Sequence, residues 1–264
     1  MQILAPTLNR FLARLALAGL TLALGACVTE TSGPRQPSKP DYRAAARTNT
    51  QLGLAYASQG RLEVAQAKLK KAIEQDDGIA QAHAGLGYVY WQRGEADGAQ
   101  SEFKRAISLD GDDPEIRNNY GVFLCDQKKY DEGDRNFMLA VKNRDYSTPA
   151  KAWTNAGTCA RQAGDVERSE SNFRRALQLD PDYFPALSEM AVSEYQQQNY
   201  LSARAFLDRY QKAGPPTPQV LLLGFKTETA LGNDDAAHQY SLKLIRSFPE
   251  SNEAAQLLKL RSAP

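Results

Sequence analysis

Four glycines, Gly53, Gly87, Gly121 and Gly157, follow one another at intervals of 34, 34 and 36 residues. This period constrains the fold more than any other feature of the chain. About 34 residues make one helix-turn-helix, and such a unit cannot bury its apolar face alone, so units must stack. The rest of the pattern keeps step. A small residue recurs as Ala65, Ala99, Gly133, Ser169, Ala203 and Ala237, and four positions later stands Leu69, Phe103, Phe137, Phe173 or Leu207. Three further on comes Ala72, Ala106, Ala140 or Ala176, and five beyond that a helix-ending Asp77, Gly111, Asp145, Pro181, Pro215 or Pro249. Small residues let two antiparallel helices approach, large ones fill the space between neighbours, and the turn formers stop the second helix. The pattern predicts an all-α chain of about six hairpins, over 46–79, 80–113, 114–147, 150–183, 184–217 and 218–251. A final helix near 252–262 caps the stack.

The stretches Gln51-Leu52-Gly53-Leu54-Ala55-Tyr56 and Gly85-Leu86-Gly87-Tyr88-Val89-Tyr90 resemble the Leu-Gly-x-x-Tyr signature of tetratricopeptide (TPR) repeats. That resemblance implies a right-handed superhelical solenoid. Departures are visible. Two extra residues around Ser147-Thr148-Pro149 separate the third and fourth repeats. The fifth repeat has Tyr210 where Ala is usual, and the sixth has Phe225 at the glycine position, Ser241 for the large residue and Leu244 for Ala. Terminal repeats of solenoids are commonly atypical.

The chain opens with Arg10 and Arg14, no acid before residue 27, and an apolar run from Leu15 to Leu24. A bilayer span needs about 20 apolar residues, so the run fits a secretory leader better than a membrane helix. It ends Leu24-Gly25-Ala26-Cys27, which resembles the lipobox of bacterial lipoproteins. The resemblance implies cleavage after residue 26 and acylation of Cys27. Val28 in place of Asp favours the outer membrane, periplasmic face, by the sorting habit of such lipoproteins. An ordinary leader with a chance cysteine and an uncleaved anchor are the alternatives. Residues 27–45, with Pro34, Pro37 and Pro40 and almost nothing apolar, read as an extended tether.

The whole chain has 32 basic and 31 acidic residues. Such a balance gives no case for nucleic acid or for an anionic membrane surface. Catalytic chemistry has little to stand on. The histidines are His83 and His238, and no His-Glu-x-x-His, Gly-x-Ser-x-Gly or phosphate-cradling Gly-Lys motif is present. Asp110-Gly111-Asp112-Asp113 lacks the central Gly and closing Glu of a calcium loop. With Asp76-Asp77 and Asp180-Pro181-Asp182 it falls at an inter-repeat turn. The expectation is therefore a protein that is not an enzyme, with no cofactor, no metal and no small-molecule substrate.

Cys125 and Cys159 fall in the first helices of the third and fourth repeats, which pack side by side. Either they form a disulfide, contributing about 3–4 kcal/mol by loop entropy, or they are two separate buried thiols. First helices line the inner face of such a solenoid. Helical spacing puts on that face Tyr88, Trp91 and Gln92; then Asn118, Asn119, Val122 and Asp126; and then Lys151, Asn155, Thr158, Arg161 and Gln162. These form the candidate protein-binding groove, with Tyr88 and Trp91 as apolar anchors and Asn119 and Asn155 able to pin a bound backbone.

Asn118 to Cys125, Asn155 to Cys159, Pro185 to Ala191, Tyr200 to Tyr210 and Phe248 to Glu253 together resemble the type IV pilus biogenesis lipoproteins of the PilF/PilW family. The resemblance spans essentially the whole chain. It implies a pilotin, an outer-membrane lipoprotein that binds secretin subunits and supports their localisation and multimerisation. It also implies a disulfide between the two cysteines. Two other readings remain open: a TPR lipoprotein adaptor for outer-membrane protein assembly, and an envelope enzyme or a regulator of peptidoglycan hydrolases.

Overall fold

The computed structural model describes residues 41–262. Cys27 and the leader therefore lie outside the described residues. Thirteen helices make up the described region, with no strand among them. They pair as α1 (Tyr42–Ser58) with α2 (Leu62–Gln75), α3 (Ala80–Gln92) with α4 (Ala96–Leu109), and α5 (Pro114–Asp126) with α6 (Tyr130–Lys142). Then come α7 (Pro149–Gln162) with α8 (Val166–Leu179), α9 (Phe184–Gln196) with α10 (Tyr200–Ala213), and α11 (Pro218–Ala230) with α12 (Asp234–Ser247). Helix α13 (Asn252–Ser262) closes the stack against α11 and α12. The fold is a right-handed TPR solenoid of six hairpins and a cap. Helix α1 begins at Tyr42, so residues 42–45 are helical and do not belong to the tether. The reason is local: Ala44, Ala45 and Ala46 are strong helix formers, and Arg43 pairs with Asp76 at 3.3 Å.

Each first helix meets its hairpin partner, the second helix before it and the first helices on either side. Successive second helices stay further apart and meet only through long side chains, as Arg168 does with Asp134 and Gln211 with Tyr240. The stack therefore curves with the odd-numbered helices on its inside. The large second-helix residues Leu69, Phe103, Phe137, Phe173 and Leu207 are all fully buried. Their room comes from the facing helix. A Cβ on Gly157 would lie 2.4 Å from the Phe173 ring, and one on Gly53 would lie 2.5 Å from Leu69 Cγ. In the sixth repeat the sizes are exchanged: Phe225 stands at the glycine position, and buried Ser241 stands where the others have Leu or Phe. Leu244, 0% exposed, takes the Ala position and joins the Leu221, Leu222, Ala254 and Leu257 cluster that seats the cap.

Helix starts follow from sequence. Pro114, Pro149 and Pro218 occupy first-turn positions, where a missing N–H costs nothing. Asp113 caps α5 by accepting from the Glu115 and Ile116 amides at 2.9 and 3.1 Å. At the irregular turn between the third and fourth repeats, Tyr146 is buried against Ala140 and Ala152. Loss of hydration pushes its phenol up to about 12.

Cys125 of α5 and Cys159 of α7 are joined in a disulfide with their Cα atoms 5.6 Å apart. The link ties the repeats on either side of the two-residue irregularity. Helix α6 passes beneath it at Gly133. A Cβ there would lie 2.4 Å from Cys125 Sγ and 3.0 Å from the Gly121 carbonyl. Gly133→Ala is therefore expected to destabilise the oxidised protein by about 1–3 kcal/mol through overpacking. Under reduction, where the sulfur can move aside, the loss should shrink. Urea unfolding with and without reductant measures both. An equal loss in the two states would place the clash on the Gly121 carbonyl instead.

Every hairpin turns at one equivalent residue in the left-handed region: Gly60, Gly94, Lys128, Gly164, Gln198 and Gly232. For Lys128 (φ 60°) and Gln198 (φ 64°) that conformation costs about 1–2 kcal/mol relative to glycine. Against this stands the greater chain entropy of an unfolded glycine. Lys128→Gly and Gln198→Gly should each raise stability by about 0.5–1 kcal/mol, read as a higher unfolding midpoint. A lowered midpoint would mean that these side chains make contacts worth more than the strain.

Candidate functional site

The inner face is built from α1, α3, α5, α7 and α9, and its polar side chains bond mostly to one another across the repeats. Trp91 Nε1 on α3 donates to Asp126 Oδ2 on α5 at 2.9 Å. Gln81 Nε2 donates to Asp113 Oδ2 at 3.0 Å. Lys151 Nζ on α7 reaches Glu115 Oε2 at 2.9 Å, and Thr148 Oγ1 donates to the same carboxylate at 3.0 Å. Asn155 Nδ2 donates to Asn118 Oδ1 at 2.9 Å, and Asn118 Nδ2 donates to Asn119 Oδ1 at 3.3 Å. Arg161 pairs with Glu189 of α9. The Asn155–Asn118–Asn119 rungs restrain the spacing of neighbouring repeats most, because buried Asn118 would be left desolvated without its partners, whereas the Trp91, Gln81 and Thr148 bonds are exposed to water and hold less.

Several expected groove residues take different parts as a result. Asn118 is fully buried and is a rung of the ladder, so it cannot reach a partner. Lys151 and Arg161 are held in ion pairs. Asn155 has committed one amide hydrogen to Asn118. The physical reason is the close approach of successive first helices, which spacing along one helix does not reveal. Gln92 is exposed near the end of α3.

The remaining residues gather around two clefts. Trp91, Val122, Asp126, Asn155, Thr158 and Gln162 surround a cleft of about 200 Å³ with the disulfide and Phe137 at its base. Tyr88 and Asn119 border a second cleft, of about 300 Å³, between α1, α3 and α5. Its walls are Leu54, Ala57, Ala84, Gly85 and Ile116, with Ser58, Gln81, Asp113 and Glu115 at the rim. Tyr88 and Trp91 meet edge to face at 5.9 Å between centroids and form the ridge between the clefts. Sequence reasoning missed the apolar cleft. Its signal was the small pair Ala84-Gly85, which leaves α3 without a large side chain where it faces the cleft.

The other candidate chemistry resolves into structure. His83 is buried, with Nδ1 2.6 Å from Glu102 Oε2 and Nε2 3.0 Å from the Asp77 carbonyl. It ties the second hairpin to the preceding turn. The acidic turns are self-capping: Asp76 Oδ1 accepts from the Gly78 amide and Asp180 Oδ1 from the Asp182 amide. Among the described residues no group of three or more His, Cys, Asp or Glu is placed to hold a metal ion. What the inner face offers is shape and hydrogen bonding: one apolar cleft with an acidic rim, one amide-lined cleft, and an aromatic ridge between.

Known proteins share this architecture. Residues 50–114 and 160–224 each match a tetratricopeptide repeat family. The type IV pilus assembly protein PilF of Pseudomonas aeruginosa is 33% identical over 236 residues, which cover 89% of this chain and 93% of PilF. A structure from the functional characterisation of Pseudomonas aeruginosa PilF superposes with a TM-score of 0.71 at 29% identity, covering 84% of this chain and 100% of that one. The crystal structure of PilW, a widely conserved type IV pilus biogenesis factor, gives a TM-score of 0.72 at 31% identity, covering 81% and 98%. With this identity over nearly its whole length, the chain belongs to the PilF family of type IV pilus TPR proteins.

Proposed function

We propose that this protein is a pilotin: a lipoprotein anchored through Cys27 to the periplasmic face of the outer membrane, which holds secretin subunits in its inner face and supports their multimerisation there. The observation that carries the binding half is the apolar cleft between α1, α3 and α5, with Asn119 and Gln81 at its edge. A cleft of this kind suits an extended or helical peptide. Apolar side chains enter the gap opened by Ala84 and Gly85, and backbone amides meet the rim. The polar ladder keeps the face pre-organised, so little ordering free energy is lost on binding. The lipobox supports the anchoring half. Several acyl chains hold a protein stably where a single one does not.

A photo-reactive residue at Asn119, introduced into the protein in cells, should capture a secretin subunit. Removing the protein should leave secretin as monomers, or in the inner membrane. Normal outer-membrane rings in cells without it would overturn the proposal. The variant Cys27→Ser tests the anchor alone: it should leave the captured partner unchanged while secretin misplaces.

A further inference from the structure

The near balance of acids and bases over the whole chain conceals a segregation on the outer face. The second helices each seat one residue in the core, from Leu69 in α2 to Ser241 in α12. The two residues after it recur in the same register on every hairpin, and all of them except the half-buried Met138 and Arg209 are exposed. In three repeats they are Lys70-Lys71, Lys104-Arg105 and Arg174-Arg175, all exposed. Arg209 and Lys243 continue the row in the fifth and sixth repeats. Of the twelve residues in this register, Asp208 is the lone acid. The others are Met138, Leu139 and Leu242, the two leucines being 45% and 43% exposed.

The other acids of these helices flank the row, as Glu74, Glu102, Asp134 and Glu170 do, or lie in the first turns. Glu63, Asp97, Asp131, Glu167 and Asp235 sit in the first turns, where the helix dipole favours them. Compensation within the row is partial: Arg105 meets Asp77 at 3.0 Å and Arg174 meets Glu170 at 3.3 Å. Lys71, Lys104, Arg175 and Lys243 have no carboxylate in ion-pair range among the described residues.

We propose that this basic, leucine-studded outer row lies against a bilayer surface carrying anionic phospholipid headgroups. The proposal rests on the lipid-anchored reading above, which keeps the domain within reach of one leaflet. Positive charge on five of the six repeats, broken at the third by Met138 and Leu139, is complementary to a broad anionic surface. Exposed leucines among the cations suit the boundary between headgroups and acyl chains. The attraction decays within about 8 Å at physiological ionic strength, so it acts only when the row faces the membrane directly. Docked this way, the inner face and its clefts point away from the lipid and stay open to a partner.

The test uses the full acylated protein bound to vesicles of phosphatidylethanolamine and phosphatidylglycerol, with a nitroxide-headgroup lipid as quencher. A fluorescent residue replaces Leu139 in one sample and Asn119 in another. Quenching is expected at position 139 and not at 119. It should vanish on phosphatidylcholine vesicles and in high salt. The combined variant Lys71→Glu, Lys104→Glu, Arg175→Glu should weaken it by more than about tenfold. These positions are exposed, and salt on the unaltered protein makes the same comparison without any substitution. Quenching at 119 instead, or quenching at 139 indifferent to salt and lipid charge, would overturn the proposal. Flotation in high salt reads the acyl anchor separately. A protein that fails to float there lacks the anchor. For that protein, low-salt flotation on anionic vesicles alone supports the row, and no flotation on either vesicle overturns it.

Discussion

The close approach of two helices within each hairpin governs the rest of the molecule. In four repeats a glycine on the first helix gives up its side chain so that one large residue of the second can be buried completely. Phe173 against Gly157 is the tightest of these contacts. Interiors are packed like crystals, so a helix pair seated this way has little freedom to slide or rotate. The fifth repeat keeps the arrangement with Ala191 in place of glycine, and the sixth inverts it with Phe225 and Ser241. What persists is a small residue facing a large one at the contact.

With the hairpins fixed, the inter-repeat contacts decide the curvature. Small first-helix residues such as Ala82, Ala84 and Ala156 bring successive first helices together, while the second helices splay. The same bareness that allows the approach leaves the apolar cleft between α1, α3 and α5. Fold and site are thus two consequences of one composition: remove the small residues and the inner face both spreads and fills.

The fold was legible because its signals are local and repeated. A glycine, a small residue, a large one and a helix stop recur in fixed order, and each has a packing reason that holds in any one repeat. The inner face was harder to read. Helical spacing places Asn118 on it, but the fully buried side chain answers to Asn155, thirty-seven residues away in the next repeat. The left-handed turn residue was hidden for a different reason. Four of its six occurrences are glycine, but Lys128 and Gln198 break the pattern, and nothing in their chemistry announces a positive φ. The start of α1 was obscured by the prolines before it, which make the neighbouring Ala-rich segment look like more of the tether.

The disulfide sits where the repeat is least regular. Two extra residues shift the fourth repeat relative to the third, so the cysteines do not occupy equivalent positions: Cys125 stands four residues after Gly121, and Cys159 two after Gly157. From these offset positions on the adjacent helices α5 and α7 their Cα atoms lie 5.6 Å apart. The insertion also carries Tyr146 into the gap it would otherwise open, against Ala140 and Ala152. A covalent tie and a buried ring thus offset the irregularity together. Because the sulfurs floor the cleft beside Trp91, holding the third and fourth repeats in register also holds one wall of the inner face. Rigidity at that point is a property of the binding face as much as of the fold.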